Sequence, residues 1–265
     1  MLINKNDSLY STLQEFSNIL DKHKQKLCFE PLLELFEFVI SPSDKLINGA
    51  IYTPEKIRKY ITKESFFQLN TNRYENIKVV DISCGCGGFL IGATRVLKRK
   101  TDKSYKEIFE ENIFGTDIQG YSVERTKILL SLLANDEDIE EIKFNIKEED
   151  SLLSTWDKNS FDLILGNPPY VCSRNMNDET KELMKEWSTC KTGHPDLYIP
   201  FFQIGYELLK EDGILGYITV NSFISSVNGR AIREYFEQQR ASLTIVDFGD
   251  EQVFQSRMTY TCLCF

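Results

Sequence analysis

The sequence lacks any apolar run close to the roughly 20 residues that a membrane-spanning helix needs. Its first residues, MLINKNDSLYS, also lack the apolar core of a secretory signal peptide. The seven cysteines are odd in number and irregularly spaced, which argues against a disulfide framework. We therefore expect a chain that has no membrane partner and keeps its thiols reduced in the cytoplasm.

An excess of basic residues is also missing. The 31 lysines and arginines are outnumbered by 40 aspartates and glutamates, which gives a formal net charge of −9. Domains that bind nucleic acid on their own are usually basic, so a nucleic-acid-binding surface is expected to be local or to lie outside this chain. The hydrophobic fraction of 42% is ordinary for a globular protein and excludes disordered and fibrous classes.

Two regions follow one another in the 265 residues. Residues 1–48 have the amphipathic periodicity of helices, and residues 49–265 alternate short apolar runs with helical patterns. The predicted strands are Ile77–Ser83, Ile113–Asp117, Ile142–Ile146, Phe161–Leu165, Ile214–Val220, Leu243–Phe248 and Tyr260–Phe265. The alternation predicts an α/β, Rossmann-like fold with a seven-stranded, mostly parallel sheet covered on both faces. No helical pattern separates the last two strands, so we expect an antiparallel hairpin at the sheet edge.

A glycine-rich turn connects the first predicted strand to the helix after it. Its sequence is DISCGCGGFL from Asp81 to Leu90, and Leu90 stands where a dinucleotide-binding fingerprint requires its third glycine. A carboxylate at Asp81 repels a pyrophosphate but attracts an ammonium group. S-adenosylmethionine carries an amino group and a sulfonium but no phosphate, so the turn favours this cofactor. The motif Cys84-Gly85-Cys86 lacks the spacing and the nearby histidine of a metal site, and no metal is expected.

An acidic residue, Asp117, ends the second predicted strand and is followed by Ile118. A carboxylate at that position can accept hydrogen bonds from the two hydroxyls of a ribose, as in nucleoside-binding folds in general. On its own this pattern is more typical of an ordinary turn with a surface aspartate. Together with the glycine-rich turn, it predicts a cofactor site.

The fourth predicted strand runs directly into Asn167-Pro168-Pro169-Tyr170. The amino group of adenine is a poor nucleophile, because its lone pair is delocalised into the ring. Two acceptors, the Asn167 amide oxygen and the Pro168 carbonyl, could bond both of its hydrogens and favour a pyramidal nitrogen, while Tyr170 stacks on the base. The fourth strand neighbours the first in a doubly wound sheet, so this turn is expected to face the glycine-rich turn.

These motifs, in this order, resemble those of the adenine-specific DNA methyltransferases that modify the 6-amino group, a class that includes type I modification subunits and type IIG restriction–modification enzymes. The resemblance extends from about residue 49 to Phe265 and implies the S-adenosylmethionine-dependent methyltransferase fold. It implies that the catalytic residues are Asn167, Pro168, Pro169 and Tyr170. It further implies that Tyr170 and Phe254 bind the target base, and that the cofactor is bound by Tyr52, Thr53, Pro54, Asp81, Cys84, Gly85, Gly87, Phe89, Asp117, Ile118, Asp150 and Asn167.

The resemblance also implies partners. The substrate would be an adenine flipped out of double-stranded DNA, as base-modifying enzymes generally require. Members of the class continue into a target recognition domain or act with a specificity subunit, whereas this chain stops at Phe265, inside the last predicted strand pair. We therefore expect a truncated chain whose DNA-reading surface lies elsewhere. One departure, Ile82 where class members carry proline, should be tolerated.

Two other functions remain open on the sequence. The same tetrapeptide could serve a methyltransferase that acts on a glutamine amide of a protein or on ribosomal RNA, because an amide nitrogen poses the same electronic problem. Alternatively, the chain could be a catalytically silent, cofactor-binding subunit. The Tyr52-Thr53-Pro54 element and the long stretch from Tyr170 to Gly213 favour DNA, and the intact Asn167–Tyr170 motif favours an active enzyme.

Overall fold

A single sheet organises the part of the chain that the computed structural model describes, which comprises residues 29–38, 53–69, 71, 73–134, 142–153, 155–251, 253–254 and 260–265. Its strands are β1 (Val79–Asp81), β2 (Ile113–Asp117), β3 (Asn145–Glu148), β4 (Phe161–Gly166), β5 (Leu209–Val220), β6 (Ile245–Asp247) and β7 (Thr261–Cys264). They lie in the order β3-β2-β1-β4-β5-β7-β6, with β1 to β5 parallel and β7 antiparallel to both neighbours. The predicted α/β fold with seven strands is confirmed.

Helices connect the strands and pack on the sheet. Their bounds are α1 (Phe29–Phe38), α2 (Glu55–Gln68), α3 (Gly88–Lys100), α4 (Tyr105–Glu111), α5 (Gly120–Leu133), α6 (Asp178–Lys185), α7 (Tyr198–Leu208) and α8 (Arg230–Gln239). Helix α2 packs on β5 and α3, α3 on β1 and β2, α5 on β2 and β3, and α7 on β5. None of the described helices is long and apolar enough to cross a bilayer.

The chain divides into two compact units, Met1–Val39 and Ile40–Phe265. Helix α1 belongs to the first unit and is the described part of the helical region predicted for residues 1–48; its Leu33 is buried. The sheet and helices α2 to α8 belong to the second unit. The predicted boundary between residues 48 and 49 lies outside the described residues and stays a prediction.

Two strands near the start of the sheet are bounded differently from the prediction. Strand β1 is shorter than Ile77–Ser83, because its ladder ends at Asp81, where the chain enters a turn. Strand β3 begins at Asn145 rather than Ile142 and pairs with β2 up to Glu148. It is an edge strand in which only Ile146 is buried, so apolar content alone is a poor guide to its bounds.

Strand β5 begins five residues before the predicted start at Ile214. Phe161 of β4 pairs with Leu209, and the ladder resumes with Leu163 opposite Ile214 after an irregular stretch. Within that stretch Asp212 has a φ of +61°, so the backbone leaves the regular strand conformation there. Because this stretch contains polar residues, the pattern of apolar residues in the sequence did not predict this part of the strand.

The predicted antiparallel pairing of the last two strands at the sheet edge is confirmed. Cys264 pairs with Tyr217 of β5 on one side and with Ile245 of β6 on the other. All four residues of β7 are buried, whereas those of β6 are half-buried or exposed. The more apolar strand therefore lies inside the sheet and β6 forms the edge, because an inner strand must bury both faces.

Candidate active site

The carboxyl ends of strands β1, β2 and β4 meet at one edge of the sheet, because the three strands are parallel neighbours. Asp81 ends β1, Asp117 ends β2, and Asn167 follows Gly166, the last residue of β4. Ligands of open α/β sheets usually bind at this edge, at the point where the strand order reverses. The structure thus brings three predicted site residues to the same edge.

The glycine-rich turn between β1 and α3 depends on left-handed backbone. Gly85 and Gly87 have φ angles of +53° and +82°, which glycine adopts without steric cost. The Gly87 N–H donates to the Cys84 carbonyl at 2.8 Å, and the Cys84 N–H donates to the Thr116 carbonyl of β2 at 2.9 Å. A Cβ on Gly87 would lie 2.8 Å from Thr126 Cγ2, whereas no described atom lies within 4 Å of a Cβ on Gly85. The turn is therefore tightly packed at Gly87 and open beside Gly85.

Alanine at these two glycines separates backbone strain from packing. We expect Gly85→Ala to lower the free energy of unfolding by about 1–2 kcal/mol, the usual penalty for a side chain in left-handed backbone. Gly87→Ala adds an overlap with Thr126 to the same penalty, so its loss should be clearly larger. Urea denaturation of both variants measures the difference, and equal losses would contradict the close packing at Gly87.

Asp117 holds the glycine-rich turn against strand β2. Its Oδ2 accepts the Gly85 N–H at 2.8 Å, and its Oδ1 accepts the Gln119 N–H at 2.9 Å. Burial raises the pKa of the Asp117 carboxyl, and the two N–H donors oppose that rise. A carboxylate oxygen can accept more than one hydrogen bond, so both oxygens can also accept from the hydroxyls of a ligand. The sequence predicted only the ligand-binding role.

Asp81 is buried directly behind the same turn, with 1% of its surface exposed. Burial raises the pKa of Asp81 to about 8 despite a hydrogen bond from the Ser83 N–H at 3.0 Å, and the charge of Asp117 adds to the rise. A Cβ on Gly166 would lie 2.8 Å from Asp81 Oδ1, so glycine at the end of β4 allows the two strand ends to approach. A buried acid of this kind is stabilised as a carboxylate when a cation binds beside it.

Two hydrogen bonds join the turn at Asn167 to neighbouring segments. Ser83 Oγ donates to the Asn167 carbonyl oxygen at 3.4 Å, which brings this turn directly against the glycine-rich turn. The Asn167 Nδ2 donates to Thr53 Oγ1 at 3.0 Å. Pro168 is buried and Pro169 half-buried. Segments near residues 53, 83 and 167 therefore meet at one place, although they are far apart in the sequence.

Tyr170 and Phe254, the two rings predicted to hold a base, lie next to each other. Their centroids are 6.2 Å apart with the planes at 70°, and the Tyr198 centroid lies 6.4 Å from that of Tyr170. Burial raises the pKa of Tyr170, so its hydroxyl stays protonated. Because Tyr170 and Phe254 meet edge to face, a base could lie between them only if one ring moved.

Two further predicted cofactor residues lie on the β2 and β3 side of the turn. Ile118 directly follows Asp117 and is 54% exposed, so it offers an apolar surface to a ligand. Asp150 follows β3, and its Oδ1 accepts the Leu152 N–H at 2.9 Å. The adjacent Glu149 N–H donates to the Asp117 carbonyl at 3.0 Å. Asp150 is thus tied through its neighbour to the end of β2.

The other predicted cofactor residues differ in their access to a ligand. Cys84 and Phe89 are buried, and burial raises the pKa of the Cys84 thiol, which keeps it neutral. Thr53 is buried and Pro54 half-buried, directly before α2. Tyr52 lies outside the described residues, and its role stays a prediction.

The sequence matches the model of the Eco57I restriction-modification methylase family over residues 111–254. The chain belongs to this family. The matched segment contains strands β2 to β6, Asp117, the turn at Asn167 and Phe254. The glycine-rich turn and Asp81 precede the match, so their place in the site comes from the structure of this member of the Eco57I family.

Two relatives are similar to this Eco57I-family chain over most of its length. RM.Eco57I of Escherichia coli, a type II restriction enzyme and methyltransferase, is 28% identical over 291 residues that cover 88% of this chain and 29% of the relative. The adenine-specific methyltransferase PglX of Streptomyces coelicolor is 22% identical over 267 residues that cover 78% of this chain and 22% of the relative. The chain therefore spans less than a third of the length of either protein.

Solved structures share the fold of this Eco57I-family chain. The type IIG restriction endonuclease BpuSI superposes with a TM-score of 0.72 at 18% identity, over 98% of this chain and 30% of that one. A putative class I S-adenosylmethionine-dependent methyltransferase from Listeria monocytogenes gives 0.62 at 16% identity, over 88% and 64% of the two chains. The seven-stranded methyltransferase fold predicted from the sequence is confirmed.

Three residues at this Eco57I-family site carry contacts that the sequence did not reveal. Ser83 bonds the Asn167 turn, Gly166 makes room for Asp81, and Arg58 donates to the Thr53 carbonyl at 2.9 Å. A glycine at the end of an apolar strand indicates close approach of another backbone, so the sequence contains a signal for the role of Gly166. The signal for Arg58 is weaker and consists of its position on the buried face of α2.

Proposed function

We propose that this chain transfers the methyl group of S-adenosylmethionine to the 6-amino group of adenine in DNA, as part of a restriction–modification system. The observation that carries the proposal is the direct contact of the glycine-rich turn with the turn at Asn167, through the hydrogen bond from Ser83. The turn that could bind the cofactor thus lies next to the turn whose two oxygens could accept the hydrogens of an amino group. Family membership supports the reaction class, and the name of PglX supports adenine.

The residues of the glycine-rich turn fit S-adenosylmethionine. Asp81 is a buried acid that a cationic group would stabilise as a carboxylate, and the open space beside Gly85 lets a ligand reach the backbone. Asp117 would accept the ribose hydroxyls, with Ile118 and Asp150 near the adenine end. When bound, the cofactor supplies a methyl group on a positively charged sulfur.

The chain's own contribution to the reaction is to prepare the amino nitrogen of the base. Asn167 Oδ1 and the Pro168 carbonyl would accept its two hydrogens, which favours a pyramidal nitrogen with its lone pair available. The same two oxygens stabilise the positive charge that develops on that nitrogen during transfer. Its proton can therefore leave afterwards, and the site needs no strong base. Proximity supplies the remaining part of the barrier reduction.

We propose double-stranded DNA with a flipped adenine as the substrate, because chemistry on a base within a duplex requires it to leave the stack. Tyr170 and Phe254 would hold the base, and one of the two rings would move to admit it. The net charge of −9 makes this chain a poor binder of phosphates. We therefore assign the DNA-reading surface to a target recognition domain or specificity subunit outside these residues.

The product of the reaction tests this proposal. The intact protein is incubated with tritiated S-adenosylmethionine and DNA, the DNA is digested to nucleosides, and the label is expected in N6-methyldeoxyadenosine. Asn167→Ala should abolish most of the label, whereas Asn76→Ala, at an exposed asparagine before β1, should not. Label in methylcytosine, in RNA or in a protein glutamine would overturn the assigned substrate, and cofactor binding without any transfer would indicate a silent subunit.

A further inference from the structure

We propose that Thr53 and Arg58 are positioning residues that fix the side-chain amide of Asn167 through a buried chain of hydrogen bonds. The chain runs from the Gly88 carbonyl, at the start of α3, through Arg58 and Thr53 to Asn167. The inference rests on the proposed function, because it treats Asn167 as an acceptor of the target amino group. It adds Arg58, on α2, to the machinery of that site and gives Thr53, already a predicted cofactor residue, a second role toward Asn167.

Only one end of the Asn167 amide can accept a hydrogen bond. Oδ1 is an acceptor, whereas Nδ2 is a donor, and the planar group holds the two atoms on opposite sides of Cγ. Nδ2 donates to Thr53 Oγ1 at 3.0 Å, so the oxygen faces away from Thr53. Reversing the amide would present donors to the amino group of the target and would remove the acceptor that the reaction needs.

Thr53 can hold the amide at this place only because it is itself held. It is 3% exposed and precedes Pro54, whose carbonyl accepts the N–H groups of Ile57 and Arg58 at 3.0 and 3.1 Å. The Thr53 carbonyl accepts Arg58 Nε at 2.9 Å. The arginine side chain thus folds back from the first turn of α2 onto the residue that bonds Asn167.

Arg58 extends the chain to the glycine-rich turn. The side chain is 7% exposed, and its Nη1 donates to the Gly88 carbonyl at 3.2 Å. A Cβ on Gly88 would lie 3.0 Å from both Cδ and Nη1 of Arg58, so the guanidinium lies tightly against the start of α3. The far end of the hydrogen-bond chain is therefore next to Gly87, in the turn that we assign to the cofactor.

A guanidinium suits this place better than an ammonium. Its donors are set at fixed angles in a plane and can serve two carbonyls at once, whereas lysine carries a single nitrogen on a flexible stem. Burial lowers the pKa of Arg58 to about 10, with Arg95 adding to the shift. Arg58 therefore stays a cation near neutral pH, and both donors keep their hydrogens. Lysine at this position would keep the charge but not the geometry.

Substitutions at Thr53 and Arg58 test the inference in the intact protein. Single-turnover methyl transfer at saturating cofactor should fall about 100-fold in Thr53→Val, a size typical of a misplaced reacting group. Thr53→Ser, which keeps the hydroxyl, should restore most of the rate. Arg58→Lys should fall by a similar factor, and the Thr53→Val/Arg58→Lys double variant should lose no more than Thr53→Val alone, because the residues act in series. Saturating cofactor is needed in every variant, because Thr53 is itself a predicted cofactor residue and its substitution can also weaken cofactor binding.

A matched control is available on the same helix. Thr62→Val removes another buried threonine hydroxyl of α2, one that has no hydrogen-bond partner among the described residues, and should leave the transfer rate unchanged. Equal rates in Thr53→Val and Thr53→Ser, or additive losses in the double variant, would overturn the inference. Wild-type transfer to a substrate other than adenine would overturn the proposed function alone, and the comparison of Thr53→Val with Thr53→Ser would still test the inference. A wild-type protein that transfers no methyl group would overturn both.

Discussion

Asn167→Ala should slow methyl transfer about a hundred- to a thousandfold, the range found when one preorganised hydrogen-bonding group at a reacting centre is removed. The physical reason is that the amino nitrogen then keeps its lone pair in the ring, with only the Pro168 carbonyl left as an acceptor. Single-turnover kinetics at saturating cofactor measure this loss. The affinity for S-adenosylhomocysteine should fall far less than the rate, because Asp81 and Asp117 remain in place.

Asn167→Asp is the informative companion variant. It keeps an oxygen acceptor at the same position and can still bond Thr53, whose hydroxyl can donate as well as accept. Its rate should therefore lie between those of the wild type and Asn167→Ala. If aspartate and alanine slowed transfer equally, the acceptor role of the Asn167 side chain would be wrong.

Asp81→Asn should weaken binding of S-adenosylmethionine roughly 10- to 100-fold, the value of a lost hydrogen bond between charged groups. The reason is that the buried carboxylate at the end of β1 would attract a cationic group of the cofactor, whereas the asparagine amide carries no charge. Calorimetry at pH 8 measures the loss. Asp162→Asn is a matched control, because Asp162 is the second residue of β4, at the opposite end of the strand, and pairs with Lys210 at 2.8 Å; the cofactor affinity of this variant should not change.

The same substitution should stabilise the protein without cofactor at high pH. The folded-state pKa of Asp81 is raised to about 8, so the folded chain binds a proton that the unfolded chain has lost. The contribution of Asp81 to the free energy of unfolding of the wild type is therefore fully present at low pH. It declines as the pH rises from about 4 to 8, by about 1.4 kcal/mol per pH unit. Asparagine does not titrate, so the difference in unfolding free energy between Asp81→Asn and wild type should grow over that window. A difference that is flat between pH 5 and 8 would show that Asp81 is not a buried acid.

The sequence predicted the parts of the fold that depend on local pattern. Strand β4 reads as an apolar run interrupted only by Asp162, because most of the strand is buried, and its position beside β1 follows from the rules of doubly wound sheets. The insertion of β7 between β5 and β6 could not be predicted, since pairing partners are set by the whole sheet. The irregular start of β5 was also hidden, because Asp212 adopts a conformation that no local signal requires.

For the candidate site, the sequence identified residue types but not their contacts. Asp117 was predicted as a ligand acceptor, yet both of its oxygens also hold backbone N–H groups, an arrangement that depends on the path of the turn. The bond from Asn167 to Thr53 joins residues 114 positions apart. The direct contact between the rings of Tyr170 and Phe254 is of the same kind. Such contacts follow from the packed fold, which spacing along the chain does not describe.

A crystal structure of the intact protein with S-adenosylhomocysteine tests the central claim most directly. The account predicts the amino end of the ligand beside Asp81, the ribose hydroxyls on Asp117, and the sulfur on the side of the glycine-rich turn that meets Asn167. A ligand seated at another edge of the sheet, or with its sulfur turned away from the turn at Asn167, would contradict a shared site for methyl donor and base.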